Sequence, residues 1–371
     1  MTDLPRTPCF TYNLAQFRQN ARSFAACTPA DVRVLYATMA NPRAQFVAAA
    51  VASGLGVFVN SLDHLAVVRR CAEAPTAITF AASGNSASEQ DAVAAAGATY
   101  IADSVAQFRA YIVRHPRARA GVRLNVGSLL GDRSLDPAPR LGLTPEELGV
   151  LNPDERARMR VLHVYVGTNL GAAHAHLRAL DALAPLVDVY SAVDEIDLGG
   201  GFARSPADEP AAAEMWDAVL AAWTRFAPRR RQALTLTVEP GRALAASAGT
   251  LYTAVTDVKT RDAVRFVVVD TSSTWYPRTL IHAASDHAVS IVGAAHGTPR
   301  AAIVCGSTTF SNDILAHCVL PDVNVGDVLA FRFAGAYCEA MHLDFLGVTA
   351  PAVTFATRTH AEDDANVIAT S

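Results

Sequence analysis

The stretch EIDLGGGF, residues 195–202, joins a short β-like run to three consecutive glycines, and LTLTVEPGR, residues 234–242, has the same build one run later. Both runs are rich in Ile, Leu, Thr and Val, which is typical of buried strands. Glycine-rich loops directly after such strands are where α/β barrels hold ligands, with phosphate near the last two strands. Backbone N–H groups of the glycine loop and the guanidinium of Arg242 suit an anion.

Further β-rich runs precede these two, and alanine-rich segments with helical spacing lie between them. The eight candidate strands begin at Val32, Gly56, Ala77, Thr99, Gly121, Val161, Glu195 and Leu234. This alternation predicts an α/β fold with a (β/α)8 TIM-type barrel over residues 25–245. A doubly wound open sheet shares the same alternation and stays open as an alternative.

The sequence pattern changes after residue 245. Five strand-like runs separated by turn residues follow, beginning near residues 249, 263, 287, 301 and 327. They predict a C-terminal all-β domain over residues 246–371. The extended run CFTYNL, within residues 1–24, is expected to pair with it.

Composition excludes several classes of function. The chain has 371 residues, is 51% hydrophobic and carries a net charge of −4, without a basic stripe, so no nucleic-acid partner is expected. It has neither an apolar run long enough to span a membrane nor a signal-peptide pattern at its start. Six scattered cysteines without zinc spacing indicate free thiols and a cytoplasmic location.

The histidines do not predict a metal site. His174 and His176 are two residues apart in a helical segment and cannot share one helix face. A site built from His163, Tyr165 and His342 has no ligand spacing behind it, so scattered structural histidines are favoured and no metal is predicted.

Segments along nearly the whole chain resemble the fold-type III pyridoxal-phosphate-dependent decarboxylases, the group of the ornithine, diaminopimelate and carboxynorspermidine decarboxylases. The matching segments include YATMANP (36–42), HVYVGTNL (163–170), EIDLGGGF (195–202), VEPGRALAASAG (238–249) and GAY (335–337). The resemblance implies a homodimer with the site at the interface. It places the cofactor on Thr168, Gly199, Gly200, Gly201, Glu239, Gly241, Arg242 and Tyr337.

Departures from the family pattern concern the chemistry itself. Met39 stands where the resemblance expects the imine-forming lysine, and a thioether can neither form an imine nor act as a base. Tyr165 replaces a ring-stacking histidine, an acidic residue is lost near Phe58, a glutamate becomes His64, and a cysteine becomes Thr309. The chain contains a single lysine, Lys259, which lies in the β domain where a surface role is favoured.

Two hypotheses follow. In the first, the protein is a divergent amino-acid decarboxylase-like enzyme that acts on an amino-acid-type substrate through the acid–base groups Tyr165, His163, Tyr337 and His64. The cofactor is then pyridoxal phosphate held without a covalent bond, or there is no cofactor. Arg278 and Asp313 are the predicted contacts for the distal end of the substrate. In the second, the protein is a pseudoenzyme that binds or regulates a decarboxylase partner.

Overall fold

The structure is a computed structural model of the chain. It describes residues 6–26, 28–132, 138–231, 233–277, 288–294 and 296–356. Two compact units make up the protein, one spanning Arg18–Leu244 and the other combining Met1–Phe17 with Ala245–Ser371. Within the described residues, no helix combines the length and apolarity that a membrane crossing requires.

Eight parallel strands close a barrel within the described part of the first unit. They are β2 (Val32–Ala37), β3 (Gly56–Val59), β4 (Ile78–Ala81), β5 (Thr99–Ala102), β6 (Ala120–Leu124), β7 (Met159–Val164), β8 (Glu195–Asp197) and β9 (Thr235–Val238). Each strand pairs with the next, and β9 closes the ring on β2, with Val32 opposite Leu236. The predicted TIM-type barrel is therefore confirmed, and the open-sheet alternative is wrong.

Helices follow the strands of the barrel. They are α1 (Leu14–Ala25), α2 (Ala44–Ala52), α3 (Leu62–Arg69), α4 (Ala87–Ala95), α5 (Val105–Arg114), α6 (Val126–Leu130), α7 (Pro145–Gly149), α8 (Pro153–Arg158), α9 (His174–Val189), α10 (Pro210–Phe226) and α11 (Arg242–Ala245). Several begin at a polar residue that caps the first turn, as Ser61 does for α3 and Ser86 for α4.

The division between the units falls inside α1. Phe24, near the end of this helix, packs edge-on against Trp216 and Phe202, with ring centroids 5.3 Å and 5.5 Å away. These aromatic contacts place the later turns of α1 with the barrel. The sequence predicts the boundary between the two domains after residue 24.

Inside the barrel an apolar layer separates two polar ends. Its buried side chains come from five strands: Leu35, Ala37, Phe58, Ala81, Ile101 and Val161. Met39 packs on this layer from the loop after β2. At the N-terminal end of the strands the buried Glu195 accepts hydrogen bonds from Arg33, Arg119 and Thr237.

The second unit is built on an eight-stranded sheet among its described residues. Its strands are β1 (Cys9–Tyr12), β10 (Gly249–Arg261), β11 (Val264–Val269), β12 (Val289–Ile291), β13 (His296–Cys305), β14 (Ile314–Asp322), β15 (Val328–Phe331) and β16 (Ala352–Phe355). The N-terminal strand β1 pairs with β10 and with β16, as expected for CFTYNL. The predicted all-β character of the C-terminal part is confirmed.

Asp313 fastens the turn between β13 and β14. Its two carboxylate oxygens accept hydrogen bonds from the hydroxyls of Ser272, Ser273 and Thr308 and from the backbone N–H groups of Ser273 and Thr308. Burial alone would raise the pKa of Asp313, but these hydrogen bonds outweigh it and lower the pKa. The buried carboxylate therefore holds the loop 306–313 against the segment that follows β11.

We expect the substitution Asp313→Ala to destabilise the protein by ~3 kcal/mol or more, because several buried donors lose their acceptor at once. Urea denaturation followed by circular dichroism measures the change. The control is Asp322→Ala, which removes an exposed ion pair with Arg300 and is expected to change stability by less than ~1 kcal/mol. Equal losses in the two variants would contradict the fastening role of Asp313.

Candidate active site

Three ionisable side chains meet at the C-terminal end of neighbouring barrel strands. His163 lies on β7, Asp197 ends β8 and Glu239 follows β9. One ring nitrogen of His163 and one carboxylate oxygen from each acid lie within 4.8 Å of one another. All three are buried, with 1%, 0% and 6% of their surfaces exposed. Residues at alternate positions of a strand point to the same side, so the closed barrel turns these three groups toward its axis.

The hydrogen bond from Arg123 decides the tautomer of His163. The Arg123 Nε atom donates to His163 Nδ1 at 3.3 Å, and a guanidinium can only donate. Burial lowers the pKa of His163 to about 4, so the ring is neutral at neutral pH. Its one proton therefore sits on Nε2, which lies 3.6 Å from Oε2 of Glu239.

The two carboxyl groups beside this histidine resist ionisation. Burial, and then the charge of Glu239, raise the pKa of Asp197 well above its usual range. Burial raises the pKa of Glu239 to about 7, although a hydrogen bond from Asp197 works in the opposite direction. Two buried carboxylates in contact cannot both be charged without a large penalty. At least one of the two therefore carries a proton near neutral pH.

The glycine loop 199–201 is held open by its backbone conformation. Gly199 and Gly201 have φ angles of +65° and +98°, which side chains other than that of glycine rarely adopt. A Cβ on Gly200 would lie 2.9 Å from the carbonyl oxygen of Glu239. The loop thus brings bare backbone next to the end of β9, which is the geometry that anion-binding loops use.

His176 braces this loop from helix α9. Its Nε2 atom lies 2.9 Å from the carbonyl oxygen of Gly200 and must donate there, since a carbonyl only accepts. The ring also packs against Phe202 at a centroid distance of 4.9 Å. Burial lowers the pKa of His176 to about 4. A neutral histidine thus fixes the middle carbonyl of the glycine loop.

Tyr165, Thr168 and Arg242 lie on the same face of the barrel, after β7 and β9. The hydroxyl of Tyr165 is hydrogen-bonded to Thr168 and lies within electrostatic reach of Arg242. Burial raises the pKa of Tyr165, so the phenol keeps its proton at neutral pH. Arg242 itself is 7% exposed at the start of α11.

A second hydrogen-bonded group surrounds the backbone next to Met39. The hydroxyl of Thr38 donates to the carbonyl oxygen of Phe58 at 2.9 Å and lies 3.1 Å from His64 Nδ1. Because Thr38 has only one proton to give, His64 Nδ1 must be the donor in the second contact. Burial lowers the pKa of His64. The neutral ring consequently keeps a lone pair on Nε2.

Other predicted site residues lie in the second unit or outside the described residues. Tyr337 lies in the second unit, partly buried and with φ +55°, and Asp313 is in the same unit. Arg278 lies outside the described residues. Lys259 is exposed on β10 and pairs with Asp257 at 3.5 Å. The predicted roles of these residues stay predictions.

Two buried residues of the site were not predicted from sequence. Asp197 was read only as part of a strand, although its position two residues after Glu195 and two before Gly199 puts it on the inner side of β8. His176 was weighed only as a metal ligand. No local pattern showed that it reaches the glycine loop, because that contact spans 24 residues.

Comparison with known proteins fits this arrangement. The family described as "Pyridoxal-dependent decarboxylase, pyridoxal binding domain" matches residues 14–246, which is more than half of the chain. The chain belongs to this decarboxylase family. The predicted resemblance is thereby confirmed.

Similar proteins include decarboxylases of several amino acids. Diaminopimelate decarboxylase of Deinococcus radiodurans is 28% identical over 330 residues, covering 87% of this chain and 83% of that protein. The chloroplastic ornithine decarboxylase of Nicotiana glauca is 26% identical over 348 residues, covering 87% and 78%.

Solved structures show the same fold. Diaminopimelate decarboxylase from M. jannaschii in co-complex with L-lysine superposes with a TM-score of 0.82 at 19% identity, covering 94% of this chain and 87% of that one. The Paramecium bursaria Chlorella virus arginine decarboxylase bound to agmatine gives 0.83 at 17% identity, covering 95% and 98%.

The residues of the barrel fit the phosphate and the ring nitrogen of the family cofactor. A Cβ at Gly199, Gly200 or Gly201 would lie 2.7–3.0 Å from a backbone carbonyl oxygen, so the loop can follow this path only as bare backbone, which leaves its N–H groups accessible to an anion. Oε1 of Glu239 is buried and has no hydrogen-bond partner among the described residues. Such an acceptor suits a protonated ring nitrogen. The position of Met39, by contrast, offers no amine for a covalent link.

We expect His176 to make the protein less stable in mild acid. Its folded pKa of about 4 lies below its unfolded value of 6.5, so its contribution is intact above pH 6.5 and is lost as the pH falls toward 4. Between pH 7 and pH 5 this linkage amounts to about 2 kcal/mol.

Denaturation of the wild type and of His176→Gln at both pH values measures this difference. The glutamine keeps a donor for Gly200 but does not titrate, so the variant is expected to lose about 2 kcal/mol less than the wild type. The control is His174→Gln, an exposed position on the same helix. A loss in His176→Gln that equals the wild-type loss would show that His176 is not buried as a neutral ring.

Proposed function

We propose that the protein is a divergent amino-acid decarboxylase that binds pyridoxal phosphate without a covalent bond to the chain. The observation that carries the proposal is the contrast between two parts of one site. The glycine loop and Arg242 would form a phosphate-binding site at the ends of β8 and β9. Glu239 would provide a buried hydrogen-bond acceptor beside it. Met39, at the end of β2, provides no amine.

The retained residues would hold the cofactor by its two polar ends. The glycine loop and Arg242 would bind the phosphate, since backbone N–H groups and a guanidinium are strong donors to an anion. Glu239 would accept the hydrogen bond of the ring nitrogen. Pyridoxal phosphate supplies an electron sink for the charge that develops at a substrate carbon when carbon dioxide leaves.

His64 has the geometry of a base among the predicted acid–base residues. Its Nδ1 proton is used toward Thr38, so the lone pair of Nε2 is available to accept a proton. The lowered pKa of His64 keeps that lone pair free at neutral pH. Tyr165, whose raised pKa retains the phenolic proton, suits the opposite role of a donor. His163 is enclosed between Arg123 and Glu239, a position that suits orientation of Glu239 better than proton exchange with substrate.

The proposed substrate is an amino acid. The solved relatives include a diaminopimelate decarboxylase with L-lysine and an arginine decarboxylase with agmatine, two ligands with a cationic side-chain end. A polar or charged side chain is therefore the substrate class to test first. Arg278 and Asp313 stay the predicted contacts for that end, although the five donors around Asp313 favour a role in holding its loop.

A homodimer in the cytoplasm completes the proposal. Three neighbouring apolar side chains of the second unit are exposed, Leu343 at 44%, Phe345 at 50% and Leu346 at 47%. Phe310 adds an edge-on contact with Phe345 at 5.6 Å. A second copy of the chain would cover such a patch. Cys9, Cys71, Cys305 and Cys318 are free thiols, which suits a reducing compartment.

The loss of the amine favours a second candidate function. A pseudoenzyme that binds or regulates a decarboxylase subunit needs no proton-transfer groups, and Met39 would then reflect lost activity. Such a protein would use the exposed patch at Leu343–Leu346 to dock on a lysine-bearing relative. It would have no need of the hydrogen-bonded group formed by Thr38, Phe58 and His64.

We expect pyridoxal phosphate to bind in equilibrium dialysis and to leave no added mass after borohydride reduction. The substitution Met39→Lys is expected to create a reducible adduct that intact mass and peptide mapping assign to position 39, because lysine matches the length of methionine and adds the amine. A wild-type adduct mapped to Lys259, or no binding at all, would contradict the proposal.

We expect Arg242→Gln to weaken binding of pyridoxal phosphate by about 1.5–3 kcal/mol, or roughly 10- to 100-fold in Kd, because a charge-assisted hydrogen bond to phosphate is lost. Fluorescence titration measures the Kd. Arg229→Gln, an exposed arginine after α10, is the matched control and should bind as the wild type does. Capture of a decarboxylase subunit that is indifferent to Arg242→Gln, without cofactor binding, would support the pseudoenzyme instead.

A further inference from the structure

Each side chain of the cluster formed by His163, Asp197 and Glu239 has one buried polar atom without a hydrogen-bond partner among the described residues. These atoms are Nε2 of His163, Oδ2 of Asp197 and Oε1 of Glu239. Atoms of this kind are rare in folded proteins, and each one calls for an explanation such as an ion, a water or a proton. Their side chains belong to the same cluster at the ends of β7, β8 and β9.

A metal ion does not explain the cluster, although its composition suits one. A histidine that binds a metal through one nitrogen carries a proton on the other and donates it to a carboxylate, a carbonyl or water. Here Nδ1 of His163 faces the Nε donor of Arg123 at 3.3 Å. Binding of a metal at Nε2 would leave the imidazole without any proton. The guanidinium therefore reserves Nε2 for an N–H group, which points to Glu239.

A shared proton explains the two carboxyl groups. Oδ1 of Asp197 accepts the backbone N–H of Gly199 at 2.8 Å, so a proton on this carboxyl belongs on Oδ2. Oδ2 is one of the atoms without a hydrogen-bond partner among the described residues, and an oxygen of the Asp197 carboxyl lies within 4.8 Å of an oxygen of the Glu239 carboxyl. A proton on Oδ2 of Asp197 would be donated to the carboxylate of Glu239. One hydrogen bond would then satisfy the donor on Asp197 and an acceptor on Glu239.

The charges around the pair leave room for one negative charge only. The described groups that act on it are His163, Arg123 and Glu195, and Asp103 acts on His163. His163 is neutral, Asp103 is 3.9 Å from Arg123, and Glu195 is paired with Arg33 and Arg119. Arg123 is shared between His163 and Asp103. The described residues around the pair therefore do not supply a cation for each of the two carboxylates.

We propose that Asp197 is a positioning residue that shares one proton with Glu239, so that the pair carries a single negative charge and presents Glu239 as a fixed acceptor to the ring nitrogen of the ligand. This inference rests on the proposed function for the identity of the ligand, but the shared proton itself belongs to the ligand-free protein. His163 completes the arrangement, because its Nε2–H faces Oε2 and leaves Oε1 for the ligand. Asp197 acts through Glu239.

The experiment is difference infrared spectroscopy of the ligand-free protein at neutral pH, which detects the C=O stretch of a buried protonated carboxyl group. We expect the band in the wild type, its loss in Asp197→Asn, and its retention in Asp181→Asn, an exposed position on α9. The asparagine is almost isosteric and keeps a donor for Glu239. A wild-type spectrum without the band would overturn the proposal, whatever the variants do, and so would a band that persists in Asp197→Asn.

Binding of pyridoxal phosphate gives a second readout that a purely structural role would not move. Asp197→Asn should bind with a Kd close to that of the wild type, because the amide still donates to Glu239. Asp197→Leu removes the donor and should raise the Kd about 10- to 100-fold, in a variant checked for wild-type circular dichroism. Equal Kd values for the leucine and asparagine variants would overturn the positioning role.

The two readouts separate this inference from the proposed function. If the band is present and pyridoxal phosphate does not bind to the wild type, the proposed function fails, the shared proton stands and the positioning role is overturned. If the cofactor binds and the band is missing, the cofactor proposal stands and the shared proton is overturned.

Discussion

The burial of charge inside a closed barrel is the constraint on which the site depends. Strand β8 contributes Glu195 and Asp197 to the barrel interior, and a strand of period two places them on one side, at opposite ends of the apolar layer. Arg33, Arg119 and Thr237 satisfy Glu195 at the lower end. At the upper end Asp197 meets a second acid, Glu239, and no guanidinium among the described residues donates a hydrogen bond to it. A protonated carboxyl and a neutral histidine take the place of the missing cations, so the barrel architecture leads to the unusual protonation of the site.

The same face of the barrel depends on backbone as much as on side chains. Gly199 donates its N–H to Asp197, and the carbonyl of Gly200 accepts from His176, so the loop is tied on one side to the acid pair and on the other to helix α9. A change in the protonation of Asp197 would therefore affect the loop that is proposed to bind phosphate. The acid pair that would bind a ring nitrogen and the loop that would bind a phosphate are therefore parts of one rigid arrangement.

The fold was predictable because the buried strands of a barrel are nearly continuous apolar runs, which stand out beside alanine-rich helices. Strands β14 and β16 were not among the predicted runs. Pro321 is the next-to-last residue of β14, which lies at the end of the sheet order, where a proline is tolerated. Glycine and charged residues after the strands predicted where the candidate site lies, and this location stays a prediction. The partners of those residues could not be predicted in the same way: the contacts of Arg123 with His163 and of His176 with Gly200 join different strands and helices, and only the closed barrel brings them together.

The positions at which the sequence is expected to depart from the family pattern are physically linked to one another. Thr38, next to Met39, donates to the carbonyl of Phe58 and accepts from His64, so one hydroxyl joins the loop after β2 to strand β3 and helix α3. Phe58 and Met39 both pack on the apolar layer, and the ring of Phe58 stacks on His163 at a centroid distance of 6.4 Å. Apolar contact on this side keeps water from His163 and strengthens the burial that makes the ring neutral and the acid pair share a proton. Under the proposed function, Met39 and the buried acceptor Glu239 are therefore better understood as two parts of one pocket than as signs of decay.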